Sequence, residues 1–319
     1  MRVLLTGSSG WLGRFLAPML RGEGHMVVGL DVAPGGETQV VGSVEDRALV
    51  YRLVAERRIQ AVIHAGGLHK PDVARYPMQS FIDVNVSGTL NLIEAAVSFG
   101  VDRFVFTSTT SLMISEAIRA ERAETAVWLT EESGPLEPRN IYGATKLAAE
   151  NLCRLAHLEH KLACIVLRTA RFFPEEDDTH RDLSGPNTKA NEFLNRRLTV
   201  EDAARAHVIA LEKAPVIGFG TYIVSAPTPF VPADAAALKQ DAPAVIARYF
   251  PQAAALYARR GWTLPRSIGR VYDASRIERD LGFRCETDFA AVLRALETDE
   301  PLPFAHDPDY VSPKEWARG

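Results

Sequence analysis

The sequence predicts an α/β fold built on a doubly wound parallel sheet, and three observations carry that prediction. Short apolar runs alternate with helix-length segments through the first half of the chain, a glycine-rich turn joins the first run to the first helix, and an aspartate ends the second run. Parallel neighbours need a crossover connection, which a helix supplies.

The elements follow in order. Residues 2–6 (Arg-Val-Leu-Leu-Thr) are continuously apolar at their centre, as in a strand buried on both faces, and run into the turn. A helix is expected over 11–21, with Leu12, Phe15, Leu16, Met19 and Leu20 near helical spacing and Pro18 loosening it. Gly22 and Gly24 stop it, and a second strand over 25–30 ends on Asp31. The pattern continues with a helix over 46–58, a strand over 61–64, a helix over 84–99 and a strand over 103–107. A helix from 142 toward 160 and a strand over 162–167 complete it. Beyond Arg168 the alternation fades into segments richer in Pro and Asp. The expected organisation is therefore a dinucleotide-binding (Rossmann) domain over 1–167, with a return segment near 199–225. Residues 168–198 and 226–319 form a smaller substrate-binding part.

Composition narrows the function classes. The 319 residues are 47% hydrophobic and 24% charged, which excludes disordered, collagen-like and coiled-coil chains. A net charge of −4 offers no electrostatic case for nucleic acid or an anionic membrane surface. Apolar runs such as 162–167 are six residues long, against the roughly twenty a spanning helix needs. The run Val3-Leu4-Leu5 is too short for a secretory signal, so the expected location is cytoplasmic. Cys153, Cys164 and Cys285 have neither the parity of a disulfide framework nor zinc spacing. His157 and His160 read as a solvated helix face, so no metal site is expected.

The turn Gly7-Ser8-Ser9-Gly10-Trp11-Leu12-Gly13 puts backbone N–H groups and a helix start where a pyrophosphate can lie. Asp31, at the end of the next strand, suits a ribose hydroxyl. Gly7, Gly10, Trp11, Leu12, Gly13 and Asp31 are the expected cofactor contacts. The carboxylate would repel a 2′-phosphate and residues 32–36 contain no Arg or Lys, so NAD is expected over NADP. Arg14 is the one residue favouring a phosphate, and reads equally well as a solvated helix position.

Tyr142 and Lys146 stand four residues apart on one helical face. A phenol acting as a base near neutral pH needs its pKa lowered by about three units, or roughly 4 kcal/mol. A nearby ammonium and an oxidised nicotinamide supply such a shift. The cluster Thr107-Ser108-Thr109-Thr110-Ser111 follows the fourth strand, where ligands of such sheets bind. Its hydroxyls suit a substrate oxygen, or alternatively cap backbone groups.

These motifs, with His64-Ala65-Gly66-Gly67 and Asn85-Val86-Ser87-Gly88-Thr89, resemble the extended short-chain dehydrogenases, the NAD-dependent epimerase/dehydratase family. The likeness covers residues 1 to about 210 and, more loosely, 266–296. It implies Thr109 as the catalytic hydroxyl, with Ser108 its nearest competitor, Tyr142 as acid/base, and Lys146 orienting the nicotinamide ribose and lowering the phenol's pKa. It also implies cofactor contacts at His64, Ala65, Gly66, Asn85, Tyr142 and Lys146, and homodimers through two core helices. His69 is given no chemical role. The chain departs from the family at Met113-Ile114, where Tyr-Gly is frequent, and at 168–174, where Asn and Gly-Pro are common. Its short stretch between Pro174 and Arg197 argues against a nucleotide sugar.

Arg168, Arg171, Arg181, Arg196 and Arg197, with Asn187, Lys189 and Asn191, crowd the segment expected to face the substrate. A guanidinium suits a carboxylate or phosphate; the competing reading pairs these arginines with residues 175–178 on a solvated loop. Thr109, Thr110, Arg171 and Asn187 are the expected substrate contacts. The expected function is an NAD-dependent oxidoreductase acting on a small polar, sugar-like, anionic molecule. The alternatives are a sugar or nucleotide-sugar epimerase that retains its cofactor, and a non-catalytic NAD-binding sensor.

Overall fold

A computed structural model of the chain describes residues 1–176 and 182–316. Among these the strands are β1 Arg2–Thr6, β2 Met26–Asp31, β3 Val40–Val41, β4 Ala61–His64, β5 Arg103–Thr109, β6 Val127–Leu129, β7 Ala163–Thr169, β8 Phe219–Val224 and β9 Arg270–Tyr272. The principal helices are α1 Trp11–Gly22, α2 Arg47–Glu56, α3 Gly88–Ser98, α4 Ile141–His160 and α5 Val200–Ile217. Seven strands form one sheet in the order β3-β2-β1-β4-β5-β7-β8, all pairings parallel. This is the doubly wound Rossmann-like architecture.

Its strands read as unbroken apolar runs because both faces are covered. Val3, Leu5, Ile63, Val105 and Ile165 pack with Leu12 and Leu16 of α1 and Leu211 of α5. The alternate residues Leu4, Val62, Phe104 and Val166 pack on the other face with Leu53 of α2, Leu92 of α3 and Cys153 of α4. Pro18 lies on the exposed side of α1, and the helix runs through it. Asn140 caps α4, its side-chain oxygen accepting from Gly143 N at 3.0 Å, which fixes Tyr142 in the first turn.

Two regions differ from expectation. The helix expected over 84–99 is preceded by a helical turn, Met78–Phe81, and a π-helical stretch, Ile82–Ser87, before α3 begins. Ile82, Val84 and Val86 alternate rather than recur helically, and the wider turn brings Asn85 inside. The C-terminal part is more regular than predicted. Short helices Ala242–Tyr249 and Phe289–Thr298 enclose a core containing Phe193, Tyr257 and Phe289. The Asp and Pro residues that read as irregularity are helix starts: Asp241 and Asp288 are N-caps, and Pro243 lies in a first turn. A second, two-stranded sheet pairs β6 with β9, and Ala126 and Trp128 pack into that C-terminal core. Residues from within 1–167 thus join the packing unit of 226–319. Among the described residues, no helix is long and apolar enough to cross a membrane.

Candidate active site

The glycine turn lies over the crevice between β1 and β4, where the strand order reverses direction. Gly7 has φ +75°, and a methyl group built on it would stand 2.7 Å from Gly66 N. A methyl on Gly13 would meet Gly7 O at 2.2 Å, whereas one on Gly10 would clear the same oxygen at 3.2 Å. Gly7 and Gly13 are therefore required for the turn to close, and Gly10 less so. Leu12 buries its side chain in the core and presents only main chain at the helix start. The Trp11 indole donates to Phe172 O at 3.2 Å, tying the turn to the segment after β7.

Asp31 closes the far side of the crevice. Its carboxylate accepts from Ser9 N and Ala33 N, each at 3.0 Å. Burial raises its pKa, and these N–H groups offset part of the rise.

His64, expected as a cofactor contact, has its ring turned into the interior. Nδ1 pairs with Thr6 Oγ1 at 2.7 Å and Nε2 with Thr89 Oγ1 at 3.0 Å. Thr6 Oγ1 also accepts from Gly66 N, and Thr89 Oγ1 donates to Asn85 O. The proton order this imposes runs from Gly66 N–H through Thr6 and a neutral His64 to Asn85 O. Burial holds the imidazole pKa down to about 3, as that order requires. His64 therefore positions Gly66 and Asn85. The Asn85 amide in turn exchanges bonds with Leu68 N and O at 2.9 and 3.1 Å and donates to Thr145 Oγ1 at 3.2 Å. One side chain thus links the π-helical stretch, the segment after β4 and α4. Among the four expected contacts on these elements, Ala65 and Gly66 form the wall facing Gly7.

β5 extends two residues past its expected end, so Thr109 is its last residue, opposite Thr169 of β7. Side chains alternate across a strand, and this separates the two candidate hydroxyls. Thr109 Oγ1 accepts from Ser111 N at 3.0 Å and lies close enough to the Tyr142 phenol to oppose the rise of its pKa. Ser108 Oγ instead donates to Glu150 Oε1 at 2.5 Å. The Thr110 hydroxyl donates to Thr169 O at 3.3 Å, a backbone role rather than the expected substrate contact.

Lys146, one turn beyond Tyr142, is buried with Nζ donating to Thr107 O at 2.8 Å and lying 4.6 Å from the Phe106 ring centroid. Burial lowers its pKa to about 8, so it remains mostly protonated at pH 7. The phenol does not follow the sequence expectation. Burial pushes Tyr142 up to about 12, with the Thr109 hydroxyl opposing and the Asp72 carboxylate adding to the rise. In the chain alone, desolvation outweighs any help from Lys146.

Sequence reasoning missed a supporting ion pair. Glu150 lies on α4 one further turn on, and Arg168 of β7 grips it through Nε at 3.0 Å and Nη2 at 2.8 Å. The positions 142, 146 and 150, each a turn apart, were its available signal.

The arginines after β7 also have an unforeseen partner. Glu192, buried, takes Arg171 Nη1 at 2.9 Å, Arg196 Nη2 at 3.1 Å and Arg197 Nη1 at 2.9 Å. Burial opposes its ionisation, but the three guanidiniums hold its carboxyl far below the ordinary carboxylate range. Of the expected partners in 175–178, Glu175 lies within reach of the charges of Arg197 and Arg171; Asp177, Asp178 and Arg181 lie outside the described residues. Asn187, the other expected substrate contact, exchanges bonds with Thr263 N and O at 2.9 and 3.0 Å. Arg119 stands beside this cluster, its pKa lowered by burial and then by the charges of Arg139, Arg270, Arg196 and Arg171. No group of three His, Cys, Asp or Glu suited to a metal occurs among the described residues.

Several known proteins resemble the chain. A model of the NAD dependent epimerase/dehydratase family matches residues 3–222. A UDP-glucose 4-epimerase of Azospirillum brasilense is 29% identical over 176 residues, covering 52% of this chain and 48% of that protein. A uronate dehydrogenase of Pseudomonas syringae pv. tomato is 28% identical over 184 residues, covering 54% and 60%. The chain spans about half the length of the curated relatives it matches. A short-chain dehydrogenase/reductase superfamily protein from Agrobacterium tumefaciens, solved with bound NAD, superimposes with a TM-score of 0.64 at 25% identity, covering 93% of this chain and 96% of that one.

Proposed function

The chain belongs to the NAD-dependent epimerase/dehydratase family, and from that premise we propose that it moves hydride between nicotinamide and a hydroxyl-bearing carbon of a small, polar, sugar-like substrate. The observation that carries this reading is the placement of Thr109, at the end of β5, close enough to Tyr142 to act on its phenol, with Lys146 one turn along α4.

The crevice fits NAD. Gly7 and Gly13 let the turn close tightly at the start of α1, and Asp31 retains lone pairs beyond its bonds to Ser9 N and Ala33 N. Gly7, Gly10 and the main chain of Trp11, Leu12 and Gly13 would hold the pyrophosphate, Asp31 the adenosine ribose, and Lys146 the nicotinamide ribose. When bound, NAD would supply the hydride acceptor and, oxidised, a positive charge.

Thr109 holds the substrate oxygen, and Tyr142 takes its proton as the carbon is oxidised. From a resting pKa of about 12, ionisation at pH 7 requires a drop of about five units, or ~7 kcal/mol. Burial thus raises the demand on the surrounding positive charge above that of a free tyrosine. Glu150 and Arg168 keep Lys146 and the strand end in register.

Arg119 and Arg139, which lie near one another, are the candidates to meet an anionic group on the substrate. Uronic acids, aldoses and nucleotide sugars, offered with NAD and followed for NADH and product stereochemistry, test the reading. NADH formation from a hexuronate supports it. Epimerised product without net NADH favours the cofactor-retaining epimerase. Absence of turnover with every class contradicts both.

A further inference from the structure

Residues 307–316 cross the face of the molecule that carries the crevice. Asp307 N donates to Pro174 O at 3.0 Å, and the Tyr310 ring packs edge-on against Trp11 with centroids 5.3 Å apart. Arg14 lies over both rings, at 5.1 and 5.7 Å. The segment ends on a short helix, Pro313–Trp316, beside the loop after β4, where Arg75 and Glu315 approach to 3.7 Å.

Here Lys314 reaches Asp72. Its Nζ is hydrogen-bonded to Asp72 Oδ2, and His69 Nδ1 lies 3.3 Å from the same ammonium. Asp72 is 1% exposed and also accepts from His69 N at 2.6 Å. Lys314, itself 12% exposed, is the cation that Asp72 meets. The loop that carries Asp72 is anchored at its other end by Asn85, and its Leu68 packs directly on Tyr142 with Phe81. Asp72 is therefore a buried carboxylate on the loop that packs against the phenol, and a residue 242 positions away along the chain pairs with it.

We propose that Lys314 is a positioning residue for Tyr142: by pairing with Asp72 it screens the phenol from a buried carboxylate and makes the active centre depend on docking of the C-terminal segment. This rests on Tyr142 being the acid/base group. The side chains that act on the phenol are Thr109 from β5 and Asp72 from the loop, with Lys146 one turn along α4; those facing Asp72 are Lys314, His69 and, beyond them, Arg75 and Glu315. An unscreened carboxylate near a phenol raises the pH at which it ionises, by roughly one unit where the two stand within about 6 Å.

The test is the pH profile of kcat/KM at saturating NAD for the full chain, with its best substrate among the uronic acids, aldoses and nucleotide sugars, in K314M, D72N and the double variant. The ascending limb is expected to move up by about one pH unit in K314M, down in D72N, and back to near the wild-type position in the double variant. Melting temperature and NAD affinity are followed alongside, since loss of packing alone lowers both without moving the limb. A limb unmoved in folded K314M, or a shift that D72N does not reverse, overturns the assignment while Y142F remains inactive. A fully active Y142F enzyme overturns both this assignment and the reading on which it rests.

Discussion

Replacing Glu192 by glutamine removes the one carboxylate on which three arginines converge while keeping its volume. Glu192 is 3% exposed and Arg197 5%, whereas Arg171 is 35% exposed. Removing one partner from a buried pair costs about 3–5 kcal/mol because the other charge is left desolvated. The cost falls chiefly on Arg197, the most buried of the three, so the lower part of that range applies, roughly 3–4 kcal/mol. For a chain of this size, that is a fall in Tm of roughly 6–8 °C at about 2 °C per kcal/mol. The effect carries a pH signature. The folded carboxyl has a pKa below its ordinary 4.5, so as pH falls the unfolded chain binds the proton first. The stabilisation is complete above 4.5 and is lost below it, at ~1.4 kcal/mol per pH unit. Calorimetry and urea titration of wild type and E192Q at neutral pH and again about one unit below the ordinary carboxyl pKa measure both features. A loss under about 1 kcal/mol at neutral pH, or a difference that does not narrow in acid, refutes the keystone role.

Two further predictions separate neighbouring residues. T109A is expected to slow turnover about 10²–10³-fold, roughly the loss of one well-placed oxygen partner, with folding intact. S108A is expected to turn over within a few-fold of wild type and to lose about 1.5–3 kcal/mol of stability through Glu150, as urea titration reads; the reverse pattern would exchange their roles. G7A forces a side chain into a left-handed conformation against Gly66, so NAD affinity by fluorescence titration is expected to fall at least tenfold, or ~1.4 kcal/mol, and an unchanged Kd would contradict the cradle.

The parts of the site legible in the sequence are those whose chemistry is local. The turn from Gly7 to Gly13 announces itself because glycine is needed within one short loop, and Tyr142 with Lys146 because a helix repeats its face every turn. Asp31 was legible because it ends a strand of predictable length. What escaped depends on partners far apart in sequence. Arg171 looked available until Glu192 came beside it, and Asn187 until Thr263 did. His64 read as a cofactor neighbour because its place at a strand end is visible and its bonds to Thr6 and Thr89 are not. The direction of the Tyr142 shift could not be read from spacing, since burial sets it and burial follows from the packing of Leu68 and Phe81. β6 and β9 are three residues each, too short for a periodic signal.

The proposed chemistry turns on whether the Tyr142 phenol moves the substrate proton. The measurement that decides it compares wild type and Y142F in substrate-dependent NADH formation, with NAD binding measured separately in both. Y142F is expected to turn over about 10²–10⁴-fold more slowly, with NAD affinity and Tm kept near wild type. Turnover in Y142F within a few-fold of wild type would contradict the assignment.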